Sequence, residues 1–111
     1  MKVIRNDIIP FGRMFGAVNL FGILFAKRHM PLTPQVINHE EIHTAQIREL
    51  LYLPFYVVYL AEWLYRLVKH RGNIADAYFD ISFEREAYAF GDDLSYLSRR
   101  RHFAQWRTPS L

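Results

Sequence analysis

His39 and His43 stand four residues apart, with Glu40 directly after the first, in a His-Glu-x-x-His pentad completed by Glu41 and Ile42. On an α-helix, residues four apart differ by only about 40° in direction, so both imidazoles project the same way and can share one metal ion. Glu40, turned about 100° from His39, then lies on the flank, where a carboxylate can take a proton from a metal-activated water. A chain of this composition yields such a pentad in about one of every hundred shuffled orders, so its surroundings must carry the argument.

Those surroundings read as helical from signals independent of the pentad. Thr33 before Pro34 is an N-cap with proline at the first helical position, and the polar–apolar pattern that follows runs to Leu51. Pro54 stops that helix and opens a second, which runs to about Arg71. Lys69, His70 and Arg71 meet the negative end of its dipole, and Gly72 is the C-cap. Asn73 caps a third helix, which continues through Ile81 and Glu84 to Phe90 and ends at Gly91; Asp92 or Asp93 caps a short last helix toward Arg101. Upstream, β-branched and aromatic residues punctuated by glycine predict short strands near Val3–Ile4, Met14–Asn19 and Ile23–Lys27.

The helical spacing singles out a third residue. The core-facing stripe of the first helix is Val36, His39, His43, Ile47 and Leu50; that of the third is Ile74, Ala77, Ile81, Glu84 and Tyr88. Glu84 thus falls on an apolar stripe. Burying its carboxylate without a partner is costly or forces protonation, and a divalent cation held between it and two imidazoles removes that penalty. Two His and one carboxylate leave a fourth position open, as in catalytic zinc shells. Other readings stay open: an ion pair of Glu84 with Arg48 or Arg66, Glu86 as the ligand in its place, and His39 and His43 as ordinary histidines. Glu41 reads as a solvated helix charge.

Composition sets the bounds. At 111 residues and 13.3 kDa, the chain has room for one domain over residues 1–111, and its eighteen aromatics exclude wholesale disorder. Without cysteine, any metal must be held by His, Asp or Glu. The net charge of +3 comes from basic residues scattered along the chain except at Arg99, Arg100 and Arg101, so no nucleic-acid partner is expected. Met1–Pro10 has no apolar region followed by a cleavage site, and the expected setting is cytoplasmic. The longest uncharged apolar run, Leu50–Ala61, would extend about 18 Å as helix, short of a bilayer's hydrocarbon core of about 30 Å. Tyr52, Tyr56, Tyr59, Trp63 and Leu67 form an aromatic stripe read first as core packing, with attachment to a membrane surface as the other reading. Oligomeric state is not legible.

The pentad followed by a helical Glu resembles the gluzincin metallopeptidases, and Glu84, Arg85, Glu86 and Ala87 resemble their Glu-x-x-Ala element, in which the first Glu is the third ligand. The order of small sheet, pentad helix and Glu-bearing helix is similar to the single-domain minigluzincins. Tyr88 stands where several gluzincin groups carry Asp. The resemblance implies a zincin-like α+β fold, mainly helical, with a small N-terminal β-sheet packed on three to four helices. It implies Zn2+ bound by His39, His43 and Glu84, with Glu40 as general base in the hydrolysis of a peptide or protein substrate. Tyr88 or His102 would stabilise the oxyanion, and Ile23–Lys27 would be the edge strand that pairs with extended substrate. A latent form, with the segment from Arg99 to Trp106 folded over the cleft, is a further implication. The alternative reading is a noncatalytic metal-binding module or a membrane-surface interaction module.

Overall fold

The computed structural model describes residues 1–9 and 16–109. Three strands, β1 (Lys2–Asn6), β2 (Ala17–Leu20) and β3 (Ile23–Lys27), form one sheet in the order β1-β3-β2. β1 runs parallel to β3, and β2 pairs antiparallel with it in a hairpin. The two-residue turn Phe21–Gly22 has φ of 55° and 89°, the left-handed pair whose twist suits a tight hairpin. Phe21 tolerates this because both turn amides are held: its own N–H donates to the Tyr56 hydroxyl at 2.7 Å, and that of Gly22 donates to Asn19 Oδ1 at 3.0 Å. Along β3, Leu24 and Ala26 are buried and their neighbours half-buried, the period-two alternation of a sheet packed on one face. The expected strand at Met14–Asn19 is met by β2 from Ala17 on; Met14 and Phe15 lie outside the described residues.

Four α-helices follow: α1 (Pro34–Glu49), α2 (Leu53–Lys69), α3 (Ile74–Phe79) and α4 (Ser82–Phe90). Thr33 caps α1 by accepting from Val36 N–H at 3.2 Å, and Asn73 caps α3 by accepting from Asp76 N–H at 3.0 Å. The fold is a small α+β arrangement, mainly helical, as the sequence led us to expect. No helix among the described residues is long and apolar enough to cross a membrane.

One helix was expected where two occur. The chain turns at Asp80 and the extended Ile81, and α4 restarts with Ser82, whose N–H and hydroxyl both donate to the Glu62 carboxylate on α2, at 2.6 and 2.7 Å. Glu62 thus supplies the capping acceptor from another helix, which no local signal announces. Ile81 stays buried on the expected stripe, so apolar spacing did not register the break. The expected last helix is also absent: Tyr96–Ser98 and Ala104–Trp106 are single 3-10 turns. There Asp93 accepts from Ser95 N–H at 3.1 Å, and Tyr96 and Arg100 are drawn onto Glu86 of α4 at 2.8 and 2.5 Å.

The core lies where α1, α2 and α4 meet, around Ile47, Phe55, Ile81 and Phe83, with Phe55 and Phe83 ring centroids 4.6 Å apart. Each such side chain contributes about 1.5–3 kcal/mol of burial. Gly91 ends α4 for a packing reason: a Cβ there would stand 2.7 Å from the Ala87 carbonyl oxygen and 3.4 Å from His39 Cβ. Beside it, Asn38 on α1 donates to the carbonyls of Gly91 and Asp93, at 2.8 and 3.0 Å. These contacts seat the end of α4 on the first half of α1.

Candidate metal centre

The α1–α4 packing brings together the three residues singled out by spacing. His43 Nε2 lies 3.0 Å from Glu84 Oε1 and 3.2 Å from His39 Nε2; His39 Nε2 lies 3.5 Å from the same Glu84 oxygen. Ligand atoms each about 2.0–2.1 Å from a tetrahedral metal stand about 3.4 Å apart, so this triangle fits one ion. Among the described residues it is the group of His, Asp and Glu side chains close enough to hold a metal. His43 and Glu84 are buried and His39 nearly so.

Two neighbours fix the donors. The Gln46 amide donates to the Phe83 carbonyl and to Glu86 Oε1, both at 3.0 Å, which turns its own oxygen toward His43. That oxygen accepts from His43 Nδ1–H at 2.8 Å, leaving the Nε2 lone pair directed at the triangle. Tyr59 on α2 donates to Glu84 Oε2 at 2.7 Å, so the second carboxylate oxygen is occupied and the first is free to ligate. Burial and the adjacent Glu84 charge push the Tyr59 hydroxyl well above its ordinary pKa and keep it a donor. Sequence reasoning missed both residues. Gln46, one turn beyond His43 on the same helix, was within reach of the spacing argument; Tyr59 was read as packing alone.

Electrostatics follow from this geometry. Burial disfavours an imidazolium at His43, but the Glu84 carboxylate against it prevails and raises its pKa to about 9. Burial likewise works against a charged Glu84, and the two imidazoles overcome it, holding the carboxyl well below the usual range. Without a metal the pair is therefore an ion pair. Glu40 is raised, chiefly by burial and against the pull of His43 and His39, which suits a carboxylate that exchanges protons.

Glu40 stands where two cavities meet. One, of about 310 Å³, is lined by Glu40, His43 and Glu84 at one end and by Phe55, Tyr56, Tyr59 and Trp63 beyond. The other, of about 570 Å³, is lined by His39, Glu40, Tyr78, Tyr88 and the end of α4. Tyr88 packs edge-on against His39, with centroids 4.5 Å apart, and its hydroxyl lies 3.1 Å from that of Tyr78, which lines both cavities.

Other candidates lie elsewhere. Glu86 is buried on the opposite side of α4, because residues two apart on a helix differ by about 200°. It binds Arg100, Tyr96 and Gln46. His102 is almost fully exposed beside Glu49 and lines neither cavity, which removes it as oxyanion donor. The segment from Arg99 to Trp106 packs on the end of α1 and on α4, with Arg100 buried against Glu49 and Glu86, and it does not fold over the cleft. Arg66 pairs with Glu62 and Asp80, and Arg48 is exposed, so neither neutralises Glu84. Ile23–Lys27 is the central strand, paired on both sides; the sheet edge beside the site is β2, where Asn19 donates to the Glu40 carbonyl at 2.9 Å. Glu41 is partly exposed near the N-terminal amine. No family model matches the chain, and neither a curated protein nor a solved structure was found similar to it.

Proposed function

We propose that the chain is a minimal zinc metallopeptidase of the gluzincin kind. The observation that carries this reading is the His39–His43–Glu84 triangle with the half-buried Glu40 carboxylate beside it, at the junction of two cavities. Zn2+ held by His39, His43 and Glu84 would polarise the scissile carbonyl and lower the pKa of water at the site.

The chain's own groups supply the rest. Glu40 takes the proton of the attacking water and returns it to the departing amine, a transfer suited to a carboxyl whose pKa burial has raised. The Tyr78–Tyr88 pair offers a hydroxyl donor to the oxygen on which negative charge develops; Tyr88 holds His39 from one side at the same time. Among the described residues β2 is the sheet edge beside α1, where an extended peptide would pair outside Asn19, whose carbonyl accepts from the Tyr56 hydroxyl at 3.0 Å, and the two cavities would receive side chains on either side of the reacting bond.

The test compares the wild-type chain with Glu40→Gln for zinc content and for cleavage of unstructured peptides, read by mass spectrometry. One zinc per chain in both proteins, with cleavage at least a hundredfold slower in the variant, supports the assignment. Zinc bound with no cleavage by the wild-type chain overturns it in favour of a noncatalytic metal module; a chain that binds no metal overturns it altogether.

A further inference from the structure

The outer face of α2 is apolar along its whole length, and no described residue covers it. Leu53, Val57, Leu60, Leu64 and Val68, three to four residues apart, are between 53% and 80% exposed, while Phe55, Tyr59 and Trp63 on the other face pack into the core. A helix apolar on both faces is ordinarily covered on both. At its N-terminal end the patch runs on through Leu51 to Phe21 at the hairpin turn, whose exposed ring packs against Tyr52 and Tyr56.

Charge identifies the occupant. No charged side chain interrupts the outer face, and cations stand at both ends: Arg48 where α1 passes to α2, and Lys69 and Arg71 at the far end, all exposed. Of the neighbouring acids, Glu62 turns to Ser82 and Arg66, Glu49 to Arg100, and Asp80 to His70, Arg66 and, at 3.6 Å, Lys69, while Asp76 is exposed on α3 rather than on the outer face of α2. If two copies paired along this face, a parallel arrangement would set like cations together and an antiparallel one would set Arg48 against Lys69 and Arg71, with no acid on the outer face itself to answer them. An anionic bilayer accommodates both features, taking the apolar face at the acyl boundary and the cations among its headgroups. The helix is not long and apolar enough to cross a membrane, so on a bilayer it would lie in the surface plane.

We propose that the outer face of α2 docks on an anionic phospholipid surface, with Arg48, Lys69 and Arg71 against the headgroups. The proposal stands apart from the catalytic reading. The experiment is cosedimentation of the full chain with vesicles of phosphatidylcholine alone or mixed with phosphatidylglycerol. Three cations, each worth about fivefold, give about a hundredfold preference for the anionic vesicles, and added salt erodes it. Leu60→Gln with Leu64→Gln abolishes binding to both vesicle types, whereas Arg48→Gln with Lys69→Gln and Arg71→Gln removes only the preference. These positions are exposed, and circular dichroism checks that the variants fold. The proposal is overturned by three outcomes: no binding to either vesicle, equal binding by the leucine variant, or equal affinity for neutral and anionic vesicles. A dimer in vesicle-free sedimentation that the leucine variant dissociates would assign the face to a second copy instead.

Discussion

His43 Nδ1–H donates to the Gln46 side-chain oxygen at 2.8 Å, one turn further along α1. The amide cannot flip without facing its NH2 away from both the Phe83 carbonyl and Glu86, so this bond selects the tautomer that frees Nε2. Gln46→Leu removes that selection at similar volume. The expected result is a zinc affinity about 10- to 100-fold weaker, measured by competition with a chromophoric chelator. Unchanged affinity would show that the ring is held by packing alone.

The two carboxylates of α4 serve different ends. Glu84 faces the histidines and Tyr59; Glu86 faces Arg100 and Tyr96. Glu84→Ala is therefore expected to lose the metal. Glu86→Ala should retain it and lose about 3 kcal/mol of stability, because Arg100 stays buried with only Glu49 and Gln105 as partners. Zinc analysis together with denaturant unfolding separates the two, and metal loss from the Glu86 variant with the fold intact would reverse the assignment.

Metal-free protein has a stability profile set by His43, whose pKa rises from 6.5 to about 9 in the fold against Glu84. The folded state thus binds its proton more tightly than the unfolded one. The resulting stabilisation is fully present below pH 6.5 and is lost as pH climbs through about 9. Melting temperatures of chelator-treated protein should fall across that window. With zinc bound, Nε2 carries no proton to lose, and the same interval should be flat; parallel curves for the two forms would count against a shared site.

What was legible in the sequence is what local chemistry encodes. Thr33, Pro34 and Asn73 announced helix starts because their caps lie within three residues, and the four-residue spacing of His39 and His43 placed them on one face. Glu84 emerged from apolar periodicity even though its predicted helix is two, because Ala77 before the break and Ile81 and Glu84 after it are all buried. What escaped depends on distant partners. Glu62 caps α4 from α2, Tyr59 reaches Glu84 from α2, and the C-terminal segment trades helix for the buried Glu49–Arg100–Glu86 contacts. Strand order escaped for the same reason: nothing in Ile23–Lys27 states that β1 returns beside it.

The C-terminal segment should release in acid before the rest of the chain unfolds. Glu49 accepts from Phe103 N–H at 2.8 Å and from Arg100 and His102; burial alone would raise its carboxyl, but these bonds prevail and hold it below its ordinary value of 4.5. A lowered folded-state pKa means that the stabilisation is present above about pH 4.5 and disappears as pH falls below it. Once Glu49 is protonated, Arg100 retains Glu86 and Gln105, but the turn at Phe103 loses its acceptor, and the Phe103–Trp106 stack beside Phe83 is held through Gln105 alone. NMR resonances of Phe103 and Trp106 should therefore shift in acid ahead of those of Ile47 and Phe55, and Glu49→Gln should give the released pattern at neutral pH. Simultaneous loss of all four signals would show that this segment melts with the core.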